Sequence, residues 1–99
     1  MSAGSAELRG ETVLRRSDRV LAAHIEGESV LLDPDAGLYF GMNSVGTAIW
    51  SFLERPMALA TLAELVATEF AIAREVAWRD CVTFLDDLEA HGLVELQAR

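Results

Sequence analysis

The chain is poor in cysteine and positive charge, and it contains no lysine. Its single cysteine, Cys81, cannot form an internal disulfide, which is typical of a protein in a reducing compartment. Eight arginines stand against 16 acidic residues, so the formal net charge is -8. The phosphates of duplex DNA would repel such a chain. The composition therefore argues against a nucleic-acid-binding protein.

Long apolar runs and a secretion signal are also absent. No stretch approaches the ~20 consecutive apolar residues that a membrane-spanning helix needs. The first residues lack the basic start, apolar segment and small-residue cleavage site of a signal peptide. We therefore expect a cytoplasmic protein with no membrane segment.

What is present indicates one globular domain. Of the 99 residues, 52% are hydrophobic and 24% charged, a composition far from that of disordered chains. Residues 1–12 are mostly small and polar and lack apolar periodicity, so we predict a flexible tail there. Residues 13–99 are predicted to form the single folded domain.

The first half of the domain has the alternating pattern of short antiparallel strands. The turn Glu26-Gly27-Glu28 separates two apolar runs, and Gly27 suits the positive φ of a tight hairpin. A second turn follows at Pro34-Asp35-Ala36-Gly37. The predicted strands span about residues 20–26, 29–33 and 37–42.

The second half has the 3.6-residue period of amphipathic helices. Asn43 or Ser44 begins a helix that ends before Pro56, and Thr61 with Glu64 forms a capping box for a second helix to about Phe70. A third helix spans about 74–90, and a short strand follows at Leu93 to Leu96. The predicted fold class is α+β, a three-stranded antiparallel sheet followed by three helices in a winged helix-turn-helix-like arrangement.

Residues able to carry chemistry are few. His24, His91 and Cys81 are far apart in sequence and have neither zinc-ligand spacing nor the pattern of a catalytic triad. No glycine-rich phosphate loop follows a strand. The acidic side chains near the end of the third helix have the pattern of a solvated helix face. We predict no enzymatic activity, no cofactor and no metal.

The strand Leu38 to Met42 is the best candidate for a binding element. It is the last strand before the helices, and it lacks the charge or proline that usually protects a sheet edge. The alternative is a strand covered by the third helix. That helix has a second apolar line at Trp78, Val82 and Leu85, which we expect to form a groove beside the strand. The predicted peptide-binding residues are Leu38, Tyr39, Phe40, Gly41, Met42, Trp78, Asp80, Val82 and Leu85.

Several motifs, in this order, resemble the PqqD-like family over about residues 20–96. They are Leu32-Asp33, Gly37-Leu38-Tyr39-Phe40-Gly41-Met42-Asn43, Val45-Gly46, Ile49-Trp50, Leu62-Ala63-Glu64-Leu65, Asp80, Phe84-Leu85, Leu88 and Gly92-Leu93-Val94. The resemblance implies a recognition element that captures the leader of a ribosomally made precursor peptide and delivers it to a modifying enzyme. The leader would add as a strand beside Leu38 to Met42, against the third helix, and Asp80 would meet a polar or basic leader group.

The aromatic Gly-x-Tyr-Phe-Gly-x-Asn run is most similar to the stand-alone recognition proteins of lasso-peptide pathways, which work with a leader peptidase and a cyclase. Pyrroloquinoline quinone biosynthesis, with a radical SAM enzyme as partner, is one alternative. A winged-helix DNA-binding regulator is another, although the second predicted helix has no basic residue. An oligomerisation module is a third. We expect a monomer or a weak homodimer.

Overall fold

Two small antiparallel sheets and three helices make up residues 8–97, the part of the chain that the computed structural model describes. The strands are β1 (Val13–Arg16), β2 (Leu21–Ile25), β3 (Glu28–Asp33), β4 (Leu38–Met42), β5 (Met57–Ala58) and β6 (Val94–Gln97). The helices are α1 (Ser44–Phe52), α2 (Leu59–Phe70) and α3 (Arg74–Ala90). The predicted α+β class is confirmed.

The first sheet has the order β2-β3-β4 and corresponds to the three predicted strands. A two-residue turn joins β2 to β3, with Glu26 at φ 52° and Gly27 at φ 83°. Both angles are positive, as a tight hairpin turn that follows the strand twist requires. The loop from β3 to β4 ends at Gly37, which has φ 66°. Local turn residues thus determine the register of this sheet.

The ends of α1 and α3 follow the predicted caps. The Asn43 side chain accepts a hydrogen bond from the Gly46 backbone N–H at 2.8 Å, which satisfies one free amide at the start of α1. After α3, Gly92 has φ 73°, and the Leu93 N–H donates to the Leu88 carbonyl at 2.9 Å. A left-handed glycine with this backward bond is a common helix end.

The predicted capping box of α2 is wrong. The helix begins at Leu59, two residues before Thr61, and its N-cap residue Ala58 makes no side-chain capping bond. The Leu59 and Ala60 N–H groups instead donate to the backbone carbonyls of Thr12 and Gly10, each at 2.9 Å. Because a neighbouring segment satisfies these amides, the helix can begin without a capping side chain.

The second sheet has the order β5-β1-β6, and two of its strands were not predicted. β1 pairs with β6 from Val13 opposite Gln97 to Arg16 opposite Val94. β6 itself lies one residue beyond the predicted strand. The sheet joins segments from the two ends of the domain, so short-range sequence patterns give little indication of it.

Residues 8–12 belong to the folded part, although the sequence analysis placed them in the tail. Leu8 is buried in the core cluster. Gly10 and Thr12 accept the hydrogen bonds from the start of α2. Residues 1–7 of the predicted tail lie outside the described residues.

The hydrophobic core lies between the inner face of the β2-β3-β4 sheet and the three helices. Burial of each large aliphatic side chain contributes about 1.5–3 kcal/mol. No helix within residues 8–97 is long and apolar enough to cross a membrane. The fully buried aliphatic residues of this core include Leu14, Leu31, Ile49, Leu53, Leu59, Leu62, Val66, Leu85, Leu88 and Leu93.

Candidate functional site

The outer edge of β4 has free backbone hydrogen-bonding groups. β3 is the central strand, so β4 forms one edge of its sheet, and no strand of residues 8–97 pairs with its outer side. The tight turn makes Ile25 and Glu28 a hydrogen-bonded pair, and bonded pairs alternate along antiparallel strands. Alternate residues of β3 therefore bond to β2 and to β4.

This alternation identifies which residues of β4 point their backbone groups outward. Leu38, Phe40 and Met42 lie opposite the β3 residues that bond to β4. Tyr39 and Gly41 therefore direct their N–H and C=O groups away from β3. Nothing lies within 4 Å of the point that a Gly41 Cβ would occupy, so the outer face of the sheet is open there.

Side chains also alternate along β4. Leu38, Phe40 and Met42 are half-buried and pack against the core, whereas the Tyr39 side chain is on the outer face and is 56% exposed. The ring of Phe40 packs edge-on against Phe84 and His91 of the α3 end, with centroid distances of 6.1 and 5.8 Å. These two contacts bring one face of α3 to the inner side of β4.

A cleft of about 320 Å³ lies between the start of α1 and this face of α3. We call it the Phe84 cleft. A Cβ on Gly46 would come within 2.8 Å of the Phe84 ring, closer than carbon atoms can approach. Glycine at this position therefore lets α1 and α3 approach each other. The cleft is lined by Asn43, Val45, Gly46, Arg79, Asp80, Thr83, Phe84 and Asp87.

Not all of the α3 residues predicted to bind a peptide lie at this cleft. Asp80 lines it and is exposed. Leu85 is 0% exposed and belongs to the core rather than to the cleft. The broad apolar face of α3 made Leu85 a candidate both for packing in the core and for contact with a peptide.

Trp78 lies in a different cleft, between α2 and α3, and is 36% exposed. Trp78 and Phe84 are six positions apart along α3, which places their side chains about 120° apart around the helix. Val82 is half-buried, packs against the core and follows Trp78 by about one turn. The structure therefore does not bring Trp78 and Val82 together with Asp80 at the Phe84 cleft.

The sequence analysis missed three residues on the β4 side of α3. Phe84, Asp87 and His91 share a face with Asp80, since helical residues three or four apart are neighbours. Phe84 was named only as part of a family motif and was not among the predicted peptide-binding residues. The spacing from Asp80 could have identified this face, but not its position beside β4.

The loop before β4 is held by a buried carboxylate. Asp33 accepts hydrogen bonds from the backbone N–H groups of Asp35 at 3.1 Å and Ala36 at 3.3 Å. Its other oxygen accepts a hydrogen bond from the Arg19 guanidinium at 3.1 Å. The hydrogen bond from Arg19 is the main cause that lowers the pKa of the Asp33 carboxyl.

Asp33 should make the stability of the fold depend on acidic pH. Its lowered pKa means that the ionised form stabilises the folded state. This stabilisation is fully present when the pH is above 3.8, the ordinary pKa of the group. This contribution is lost as the pH falls through the lower pKa of the folded state. Urea unfolding at several pH values should therefore show a smaller acid-induced loss in Asp33→Asn than in the wild type, and a lower stability of the variant at pH 7. Parallel pH profiles would contradict this role.

Cys81 should be unreactive in the folded protein. Burial, and secondarily the charge of Asp80, raise the pKa of its thiol to about 12. The thiolate fraction at neutral pH is then about a thousandfold below that of an ordinary thiol, and the side chain is inaccessible. We expect a thiol reagent such as DTNB to react at least ~100-fold faster in urea than in native buffer. Rapid labelling of the native protein would show that Cys81 is accessible.

Metal-binding residues do not cluster in the described part of the chain. No three His, Cys, Asp or Glu side chains come together there as a metal site requires. The Phe84 cleft provides apolar surface, the carboxylates of Asp80 and Asp87 and the guanidinium of Arg79, and the β4 edge provides main-chain groups. This combination suits an extended peptide.

A family model described as coenzyme PQQ synthesis protein D (PqqD) matches residues 28–94. This match extends from β3 to the start of β6 and includes β4 and the Phe84 cleft. The chain belongs to the PqqD family. The predicted resemblance is thus confirmed for the segment that forms the candidate site. No curated protein matches the sequence.

Solved structures resemble this PqqD-family chain over most of its length. The structure of TbiB1 in complex with the TbiA(beta) leader peptide has 36% identity and a TM-score of 0.73, covering 86% of this chain and 99% of that one. Lasso peptide synthetase B1 complexed with its leader peptide has 24% identity and a TM-score of 0.71, with coverages of 83% and 96%.

A more distant PqqD structure shares the fold. The PqqD truncation of Methylobacterium extorquens PqqCD, described as a functional and stand-alone recognition element, has 17% identity and a TM-score of 0.76. The match covers 92% of this chain and 97% of that one. This chain therefore shares its arrangement of sheet and helices with that PqqD structure despite the low sequence identity.

Proposed function

We propose that this protein binds the leader segment of a ribosomally made precursor peptide as an added strand beside β4, and presents it to a modifying enzyme of a lasso-type pathway. The observation that carries the proposal is the open β4 edge, where Tyr39 and Gly41 direct their backbone groups outward beside the Phe84 cleft. TbiB1, which is 36% identical and was solved with a leader peptide, supports this function.

Strand addition would supply affinity that depends little on the leader sequence. Two outward-facing residues offer four backbone groups, and each net hydrogen bond is worth about 0.5–1.5 kcal/mol. Such bonds form with any extended peptide, so they fix the direction and register of the leader better than its identity.

Selectivity would come from the inner side of the added strand. Alternate leader side chains there would face α3, where Phe84 offers an aromatic surface and Asp80 a carboxylate that suits a polar or basic group. The proposed contact surface does not include Trp78, Val82 or Leu85. Trp78 and Val82 lie on the border of the α3 core face that is farther from Phe84, and Leu85 lies within that face. The half-buried side chains of Leu38, Phe40 and Met42 would hold β4 against the core and so keep its edge in position for the leader.

The proposed role is recognition without catalysis. His24 and His91 lie on β2 and after α3, and Cys81 is buried with a strongly raised pKa. These groups do not form the adjacent nucleophile and base that covalent catalysis needs. Chemistry on the precursor would belong to the partner enzyme.

The outer face of the β2-β3-β4 sheet offers a surface for that enzyme. Leu21, Leu32 and Tyr39 lie side by side across the three strands. The next row consists of Ala23, Val30 and Gly41, of which Val30 is fully buried. An antiparallel sheet with one face on the core normally presents polar side chains to water on the other. An apolar outer face is typical of an interaction surface.

A bound leader strand would extend this face beyond Tyr39. Every second leader side chain would lie on the outer side of the sheet, beside the Leu21-Leu32-Tyr39 row. We infer that the leader peptidase or another modifying enzyme docks on this combined surface and so distinguishes the loaded from the empty protein.

Fluorescence-polarisation titration of a labelled leader peptide tests the leader-binding function. The peptide is taken from a small open reading frame beside this gene, and a scrambled peptide of the same composition serves as the control. We expect saturable binding with a Kd of about 1 μM or tighter for the leader only. Equal binding of both peptides, or of neither, would contradict the proposal.

Leu32→Gln should weaken enzyme docking and leave leader binding unchanged. The change replaces the central apolar side chain of the outer row with a polar one, on the face away from α3. We expect at least ~10-fold slower processing by the modifying enzyme from the same gene cluster, with the leader Kd within about twofold. Leu65→Gln, at an exposed leucine of α2, is the matched control. Equal effects of the two substitutions would exclude the outer sheet face as the docking surface.

A further inference from the structure

The edge formed by β2, opposite to β4, is unprotected. Natural edge strands usually carry charge or proline that discourages pairing with another chain. β2 is Leu-Ala-Ala-His-Ile and has neither. Four of its five residues are exposed, including Leu21 at 57% and Ile25 at 42%. An apolar open edge of this kind is a template for an incoming strand.

Backbone alternation identifies the free groups of this edge. Leu21, Ala23 and Ile25 lie opposite the β3 residues that bond to β2. Ala22 and His24 therefore direct their N–H and C=O groups away from the sheet. These two residues are placed symmetrically about Ala23.

The space beside β2 differs from the space beside β4. At β4, the end of α3 packs against the strand through the contacts of Phe84 and His91 with Phe40. β2 overhangs α1 instead, across an open cleft of about 360 Å³ lined in part by Thr47, Trp50 and Ser51. The two edges of the sheet therefore lie beside different helices.

We propose that β2 pairs with β2 of a second copy of this chain, antiparallel and centred on Ala23. In this register Ala22 lies opposite His24 of the other copy. Both residues have outward backbone groups, so the two-fold axis generates four main-chain hydrogen bonds. Leu21 lies opposite Ile25 of the other copy, which pairs the two large exposed side chains of the strand. The outward backbone groups and the large side chains of β2 are thus both paired when the two strands are centred on Ala23.

Charges at the ends of the strand also favour the antiparallel orientation. The acidic turn at Glu26 and Gly27 of one copy comes beside Arg19 of the other, which is half exposed and is also bound to Asp33 of its own chain at 3.1 Å. Asp18, the acidic neighbour of Arg19, lies 3.7 Å from Arg15 of its own chain. Parallel pairing would instead bring the two acidic turns together, so these charges favour the antiparallel orientation.

The dimer should be weak. The paired strands are about 17 Å long and a sheet layer is about 10 Å deep, which gives far less than the ~800 Å² per partner of a stable interface. We therefore expect association at about 100 μM rather than a permanent dimer. The β4 edges lie at the two ends of the resulting six-stranded sheet, so each copy can still bind a leader.

Sedimentation equilibrium of the full chain from 10 μM to 1 mM, without peptide, tests the pairing. Ala22→Pro removes an outward N–H and blocks the incoming strand, but leaves the bonds of β2 to β3. Ala23→Lys places two positive charges together at the symmetry axis. Each change should weaken self-association at least tenfold. Ala90→Lys is the matched control, because Ala90 is the exposed last residue of α3 and lies away from β2. It adds the same charge and should leave self-association unchanged.

The outcomes separate this proposal from leader binding. The leader Kd of Ala22→Pro should stay within about twofold of the wild type. A wild-type protein that is monomeric at 1 mM, or a dimer that Ala22→Pro and Ala23→Lys leave intact, would overturn the pairing. Circular dichroism confirms that each variant is folded.

Discussion

Gly41→Pro is expected to weaken leader binding by at least ~100-fold. The substitution removes an outward N–H and puts a ring in the path of an added strand, so the donated hydrogen bond and its neighbours are lost. The fold should persist, because Gly41 makes no backbone bond to β3 in the alternating pattern and its surroundings are open. Fluorescence polarisation with the labelled leader measures the loss.

Gly41→Ala is the matched control for this substitution. It adds a methyl group in open space and keeps the N–H, so the leader Kd should change by no more than about threefold. The thermal unfolding of both variants shows whether the sheet is intact. Wild-type affinity in a folded Gly41→Pro protein would show that the leader does not add to β4.

Leu85→Ala should lower the free energy of unfolding by about 2–5 kcal/mol. Leu85 is fully buried between α3 and the rest of the core, and truncation removes apolar contacts and leaves a cavity. This is a large part of the stability of a domain of this size. Urea denaturation measures the change. The folded variant should bind the leader with nearly wild-type affinity, because its side chain does not reach the proposed contact surface.

Val82→Ala is the control on the same helix. Val82 is only half-buried, so its truncation should cost clearly less than that of Leu85. A large loss of leader affinity in folded Leu85→Ala, with little loss of stability, would return Leu85 to the binding site and contradict the arrangement of α3 described above.

The sheet that carries the candidate site could be predicted from sequence because its signals are local. Glu26-Gly27 and Gly37 define two hairpin turns within a few residues, and Asn43 caps the helix that follows β4. Such features depend on the conformational preferences of single residues. The family was also predicted correctly, since its motifs are concentrated in this segment.

The second sheet could not be predicted because it depends on distant pairing. β1 becomes a strand by bonding to β6, which lies about 80 residues further along the chain. The same distant packing provides the carbonyls of Gly10 and Thr12 that replace the predicted cap of α2. A short segment such as Val13–Arg16 has no period that distinguishes it from a tail.

The rotation of α3 explains why the predicted site residues of this helix do not lie together. Periodicity identifies a broad apolar face on the helix, but it does not show which border of that face lies against β4. The close approach of Gly46 to Phe84 and the packing of Phe40 determine this rotation. Trp78 consequently lies on the α2 side, and Phe84 takes the place beside β4 that we predicted for Trp78.

Amide hydrogen exchange at Tyr39 and Gly41, followed by NMR with and without the leader peptide, tests strand addition most directly. Without peptide, both amides point away from β3 and should exchange rapidly, in contrast to Phe40. With saturating leader, exchange at Tyr39 and Gly41 should slow by at least ~10-fold. If the leader binds but both amides remain as exposed as before, the peptide does not pair with β4 and the proposed mode of recognition is wrong.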